Sequence, residues 1–259
     1  MKREKMEEQR VKELFATILD LGAILLKSGA EVYRVEDTIK RLIIAYGGTD
    51  EQVFAIPTHI VASACFGAEE ITSSRRVRRP GMSLEIVDRV NALARFACDE
   101  RPEPAQLKRK LNEAAAFEPY TPTQQFLIYA LVAFSFTLFF GGCLVDSLIS
   151  AVIAGMLFFN VRFFKRITQN ALFGNILSAA FMAILAVLSV RIGAGTDADK
   201  IIIGNVMLLI PGLEFVNGMR DFIVSDIQAG IMHITEALFL AAGTALGAAA
   251  VLTVFGGAI

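Results

Sequence analysis

Between Phe126 and Phe255 the chain offers five apolar segments in succession: Phe126–Phe140, Ser147–Phe164, Ala171–Val190, Ile201–Val216 and Ile231–Phe255. A bilayer core is crossed by roughly 20 apolar residues in a helix. A buried soluble bundle mimics one or two such segments, not five in series. The charges agree. Residues 125–259 carry 13 ionised side chains, six basic and seven acidic, whereas residues 1–124 carry 38, divided equally between the two signs. The chain therefore reads as two materials joined end to end: a polytopic α-helical membrane protein with an N-terminal soluble α+β domain (1–118), a Pro-rich linker (119–124) and five transmembrane helices (125–259). A wholly soluble enzyme is excluded, and without a basic excess in either half so is a nucleic-acid binder.

Cys65, Cys98 and Cys143 are scattered, and only two histidines are present. That leaves neither a disulfide framework nor a zinc site, and no metal or other cofactor is expected. Met1–Glu13 holds nine charges and no apolar core, unlike a signal peptide, so the first half is expected in the cytoplasm. The short loops then put Arg162, Lys165, Arg166 and Arg220 inside against Arg191 and Lys200 outside, and the C-terminus, Gly256–Ile259, faces outward.

In the soluble half, Leu14, Ile18, Leu21 and Leu25 form one stripe of a helix that Gly29 can close. Ser28 and Glu31 have the S-x-x-E spacing of a capping box, predicting a second helix whose apolar face holds Val32, Val35, Ile39, Leu42 and Tyr46. The period then changes: Gln52–Ile56, His59–Phe66 and Ile71–Val77 predict a strand followed by a hairpin. Arg75, Arg76, Arg78 and Arg79 are the densest basic cluster, read as a solvated strand end or an anion or lipid-headgroup contact. Pro80-Gly81 ends the strand, Ser83 caps a helix to about Cys98, and Pro102 and Pro104 open another. The run 118–122 breaks regular structure and marks the domain boundary. No phosphate-binding glycine loop occurs. His59 lacks the Ser/Asp company of a catalytic histidine and reads as structural.

Ionisable groups at membrane depth are costly and tend to line cavities. The candidates are Asp146, Glu214, Arg220, Asp221 and Glu236, with Asp146 in a short outer loop and Arg220-Asp221 at a solvated helix end as the plainer readings. The fourth segment is distinctive. Asn205 and Asn217 flank Ile210-Pro211-Gly212, and this Pro-Gly pair can split a helix and free backbone groups as ligands for an ionic solute. A simple kink is the alternative. Gly243 and Gly247 form a GxxxG face suited to close helix packing.

Taken in order, "LLKSGAEVYRVEDTIKRL", "IPTHIVASA", "TSSRRV", "LFFGG" with "VDS", and "LLIPGLEFVNGMRDF" resemble the threonine/serine exporter family, in particular its short bacterial inner-membrane members. The resemblance implies a cytoplasmic domain followed by five spans, and proton-motive-force-driven export of threonine and serine or of a dicarboxylate such as succinate. It also implies a separate small membrane subunit that supplies a second block of spans, in an oligomer embedded in the lipid bilayer. Two positions depart from the family pattern: His59 follows Ile-Pro-Thr where a small residue is common, and Glu214 follows Pro-Gly-Leu where the family has an apolar residue or proline.

The expected function is thus a secondary exporter subunit and not an enzyme. Asn205, Pro211, Gly212 and Asn217 would hold the solute, and Asp146, Glu214 or Asp221 would carry the coupling proton. The first competing reading is a membrane-anchored sensor or regulator acting through residues 1–118. The second, an intramembrane enzyme, lacks a nucleophile–base or metal constellation, since only His233 lies near a span.

Overall fold

The computed structural model describes residues 2–77, 83–117, 120–168 and 170–255. Arg78, Arg79, Pro80-Gly81, the boundary residues Glu118-Pro119 and the C-terminal Gly256–Ile259 lie outside them. The chain divides into two compact units: Met1–Pro119 with Val216–His233, and Tyr120–Phe215 with Ile234–Ile259.

In the first unit, helices α1 (Lys2–Lys27) and α2 (Val32–Ala45) precede a meander of β1 (Thr49–Ile56), β2 (His59–Phe66) and β3 (Glu69–Arg76). Both strand pairs are antiparallel. Helices α3 (Leu84–Glu100) and α4 (Pro104–Ala115) follow. The apolar stripe of α1 meets that of α2 and the inward side chains of β2, so Phe15, Ile18, Leu21, Leu25, Ile39, Leu42 and Ile60 are all buried. Ser83 caps α3 by accepting from Ile86 N, and Pro104 occupies the first turn of α4. Gly29 takes the left-handed conformation (φ 87°) that closes α1. The capping box expected beside it does not form. Glu31 occupies the N-cap position of α2 without a side-chain cap bond, its carboxylate being taken by arginines.

The second unit is built from α5 (Pro122–Phe139), α6 (Leu144–Ile167), α7 (Ala171–Arg191), α8 (Ala198–Val206) and the part of α10 (Ile227–Phe255) from Ile234 onward. Thr121 and Gln124 form the capping box that starts α5 within the expected linker. Among the described residues four helices are long and apolar enough to cross a membrane: Pro122–Phe139, Leu144–Phe164, Ala171–Arg191 and Ile227–Phe255.

The fifth expected span is not one rod. Ile201–Val216 is divided between α8, of nine residues, and α9 (Gly212–Ile223), of twelve. At 1.5 Å per residue these reach about 14 and about 18 Å, each short of the ~30 Å hydrocarbon core. Pro211 is the cause: it has no N–H for the carbonyl of Met207, and its ring clashes with that carbonyl. The chain tightens through Leu208 N to Asn205 O (3.1 Å) and Leu209 N to Val206 O (2.9 Å), then restarts at Gly212.

The small-residue face of α10 packs on α7. A Cβ on Gly247 would lie 2.2 Å from Ile176 O and 3.0 Å from the Ala179 Cβ, whereas one on Gly243 would meet the mobile end of Leu172. Gly247→Val should therefore destabilise the protein by about 1–3 kcal/mol, with Gly243→Ala milder. Thermal unfolding in detergent measures both, and equal stability of Gly247→Val and the native chain would refute the close packing.

Candidate functional site

An apolar helix that must bury a polar side chain has to find it a partner. In the second unit those pairings concentrate around the break. Asn175, on α7, donates from Nδ2 to Leu209 O (3.3 Å), a carbonyl at the break, and to Thr244 Oγ1 (3.3 Å) on α10. One helical turn away, Ser178 donates to Asn160 Oδ1 of α6 (2.9 Å). Asn175 and Ser178 line a cavity of about 90 Å³ between α6 and α7.

A second polar cluster ties α5, α6 and α8. Ser150 Oγ receives Thr137 Oγ1 (2.7 Å) and Asn205 Nδ2 (2.7 Å), and all three side chains are buried. Asn205 Oδ1 is left without a partner. Close approach depends on Gly204, where a Cβ would sit 2.0 Å from Thr137 Oγ1.

Asp146 does not sit in an exposed outer loop. It lies buried in the first turn of α6, where its carboxylate accepts from Thr196 N (2.7 Å), Thr196 Oγ1 (2.6 Å), Asp197 N (3.3 Å) and Cys143 Sγ (3.1 Å). Its lone pairs fasten the Thr196-Asp197 turn that leads into α8. Glu214 is half-buried and makes no hydrogen bond or ion pair among the described residues, and Glu236 is exposed.

The first unit holds the remaining candidates. Residues 217, 220 and 221 share one face of α9, being three and four apart. Asn217 Nδ2 donates to Gly29 O (3.2 Å), Arg220 pairs with Glu31, and Asp221 Oδ2 lies 2.8 Å from His233 Nδ1 at the start of α10. Arg34 Nε also approaches Glu31, at 3.1 Å. The Ser28–Glu31 corner is thus a clasp for α9: Arg220 is an exposed residue of the last turn that pairs with Glu31, and Asp221 is not a solvated helix end. Asp221 is wholly buried, with Oδ1 unpartnered. Nearby on α2, Glu36 Oε1 accepts from Ala55 N (2.7 Å), and burial, with the Asp226 charge adding to it, raises its carboxyl above the usual range. Asn205 and Asn217, expected to share a solute, thus have their amides committed in different units, to Ser150 and to Gly29 O. His59 is a half-buried residue of β2, paired in register with Ile56 and Arg76.

A family model described as "Putative threonine/serine exporter" matches residues 16–255. The chain belongs to the threonine/serine exporter family. This family member is a multi-pass membrane protein, as its apolar helices require. It is similar to a "Probable threonine/serine exporter" of Mycobacterium tuberculosis (strain ATCC 25618 / H37Rv), 22% identical over 245 residues that cover 93% of this chain and 46% of that relative. The chain therefore spans about half the length of that curated relative. No solved structure matches it.

Single polar residues inside apolar helices carry no periodic signal, so Asn160, Asn175, Ser178, Thr137 and Ser150 were not legible as candidates. Their one trace is that they are amides and hydroxyls inside spans. The clasp is open to a direct check. A double-mutant cycle on Glu31→Gln and Arg220→Met, read by thermal unfolding in detergent, should give a coupling of about 1–2 kcal/mol. Strict additivity would show that the pair does not hold α9.

Proposed function

We propose that this exporter-family member moves small carboxylate-bearing metabolites, threonine and serine or a dicarboxylate such as succinate, out across the bacterial inner membrane at the expense of the proton gradient. The observation that carries the reading is the break between α8 and α9, where Asn175 takes up a carbonyl at the break beside a small cavity that Asn175 and Ser178 line together with apolar side chains. Irregular backbone at membrane depth is tolerated where it is buried in protein or lines a wet passage. The broken α8–α9 pair makes the fifth crossing in this reading. The backbone at Pro211-Gly212, with Asn175, Ser178 and the unpartnered Oδ1 of Asn205, faces the solute. Asn217 serves by holding α9 to the corner at Gly29.

For the coupling proton, Asp221 is the better choice over Asp146 and Glu214. Asp146 already has four donors, and Glu214 is only half-buried. Asp221 is sealed from solvent beside His233, whose Nδ1 lies 2.8 Å from its Oδ2, and its Oδ1 has no hydrogen-bond partner among the described residues. Residues 1–118 lie in the cytoplasm and the C-terminus faces outward, in keeping with the basic loop residues. A separate small membrane subunit supplies the second block of spans, a reading supported by the length of the mycobacterial relative.

Proteoliposomes loaded with labelled threonine, serine or succinate, with and without such a subunit, test this. Pro211→Ala and Asn175→Leu should lower counterflow tenfold or more while the protein still inserts. Asp221→Asn should keep counterflow and lose gradient-driven export. Undiminished counterflow in both Pro211→Ala and Asn175→Leu would remove the solute site, and gradient-driven export by Asp221→Asn would remove the proton site.

A further inference from the structure

Most cations of the first unit that lie near a carboxylate are neutralised by it. Lys12 meets Glu8 and Glu69, Arg41 meets Asp37, Arg89 meets Glu85 and Arg109 meets Glu113. Lys40, Arg95, Arg101 and Lys110 form no ion pair among the described residues, and neither do Lys27, Arg76 and Lys108, which differ in sharing one groove. These three come from the last turn of α1, the end of β3 and the body of α4, and converge on a single groove of about 460 Å³. None of the three forms an ion pair among the described residues. The one carboxylate lining the groove, Asp20, is already spent on Arg75, whose Nε lies 2.5 Å from it. Val77 contributes apolar floor.

Three cations around one concavity repel each other, and an anion placed among them relieves that repulsion. A guanidinium and two ammonium groups aimed at one space match an oxyanion that can accept from several donors at once. Arg75, fixed by Asp20 and by bonds to Ser73 Oγ (3.2 Å) and Ala16 O (3.2 Å), serves as a rigid wall and not as a ligand. We propose that this groove binds an anionic phosphate group, either free in solution or on the headgroup of an anionic lipid. The site is independent of the solute path.

The full chain, reconstituted in nanodiscs, tests it with two probes. Inorganic pyrophosphate is titrated calorimetrically in phosphatidylcholine discs, and retention of phosphatidylglycerol from a mixed bilayer is read by native mass spectrometry. The triple variant Lys27→Gln/Arg76→Gln/Lys108→Gln should weaken binding of at least one probe about tenfold or more. A control triple, Arg41→Gln/Arg89→Gln/Arg109→Gln, removes the same charge elsewhere and should leave binding unchanged. Because the three groove side chains are exposed, the variant keeps the fold, which circular dichroism verifies. Pyrophosphate binding alone assigns a free oxyanion, and lipid retention alone assigns a headgroup. Absence of both, or equal weakening in the two triples, overturns the proposal.

Discussion

One missing hydrogen organises this molecule. Pro211 cannot donate to Met207 O, so the segment that begins at Ala198 cannot continue as a single helix, and carbonyls near the break need other donors. In an apolar bundle those donors have to be side chains. Asn175 is one, and because its amide must reach Leu209 O and Thr244 together, α7, the break and α10 are held at one place. A small cavity lies beside Asn175 and Ser178, between α6 and α7.

The break also frees α9 to take a course of its own. From Val216 onward its residues belong to the first unit, where one face of the helix meets the Ser28–Glu31 corner. The contrast between two carboxylates shows what each position does. Asp146 is surrounded by fixed donors and works as a strut for the turn at Thr196. Asp221 is equally buried, but its company is His233 alone and one oxygen stays unmet.

Much of this was open to reading in the chain. The stripe of α1, the meander, the Ser83 cap and four of the five apolar segments follow from period and turn chemistry, because each is a local property repeated over many residues. The Pro-Gly signal marked the break that separates α8 from α9, because the amide that proline lacks is a local property, whereas hydropathy alone counts the segment as one apolar stretch. The capping box at Glu31 did not form. Its spacing is right, yet two arginines, one of them 189 positions away along the chain, compete for the carboxylate and win it.

What the linear order settles, then, is material and period: which stretches must leave water, where helices and strands start, and where one helix has to stop. Which polar groups meet is decided by tertiary contact. Asn175 with Leu209 O, Asn205 with Ser150 and Asp221 with His233 lie 34, 55 and 12 residues apart, and no local rule brings them together. Desolvation enforces these pairings only once the helices pack, since a lone amide or carboxylate has no reason to seek a particular partner until water is gone.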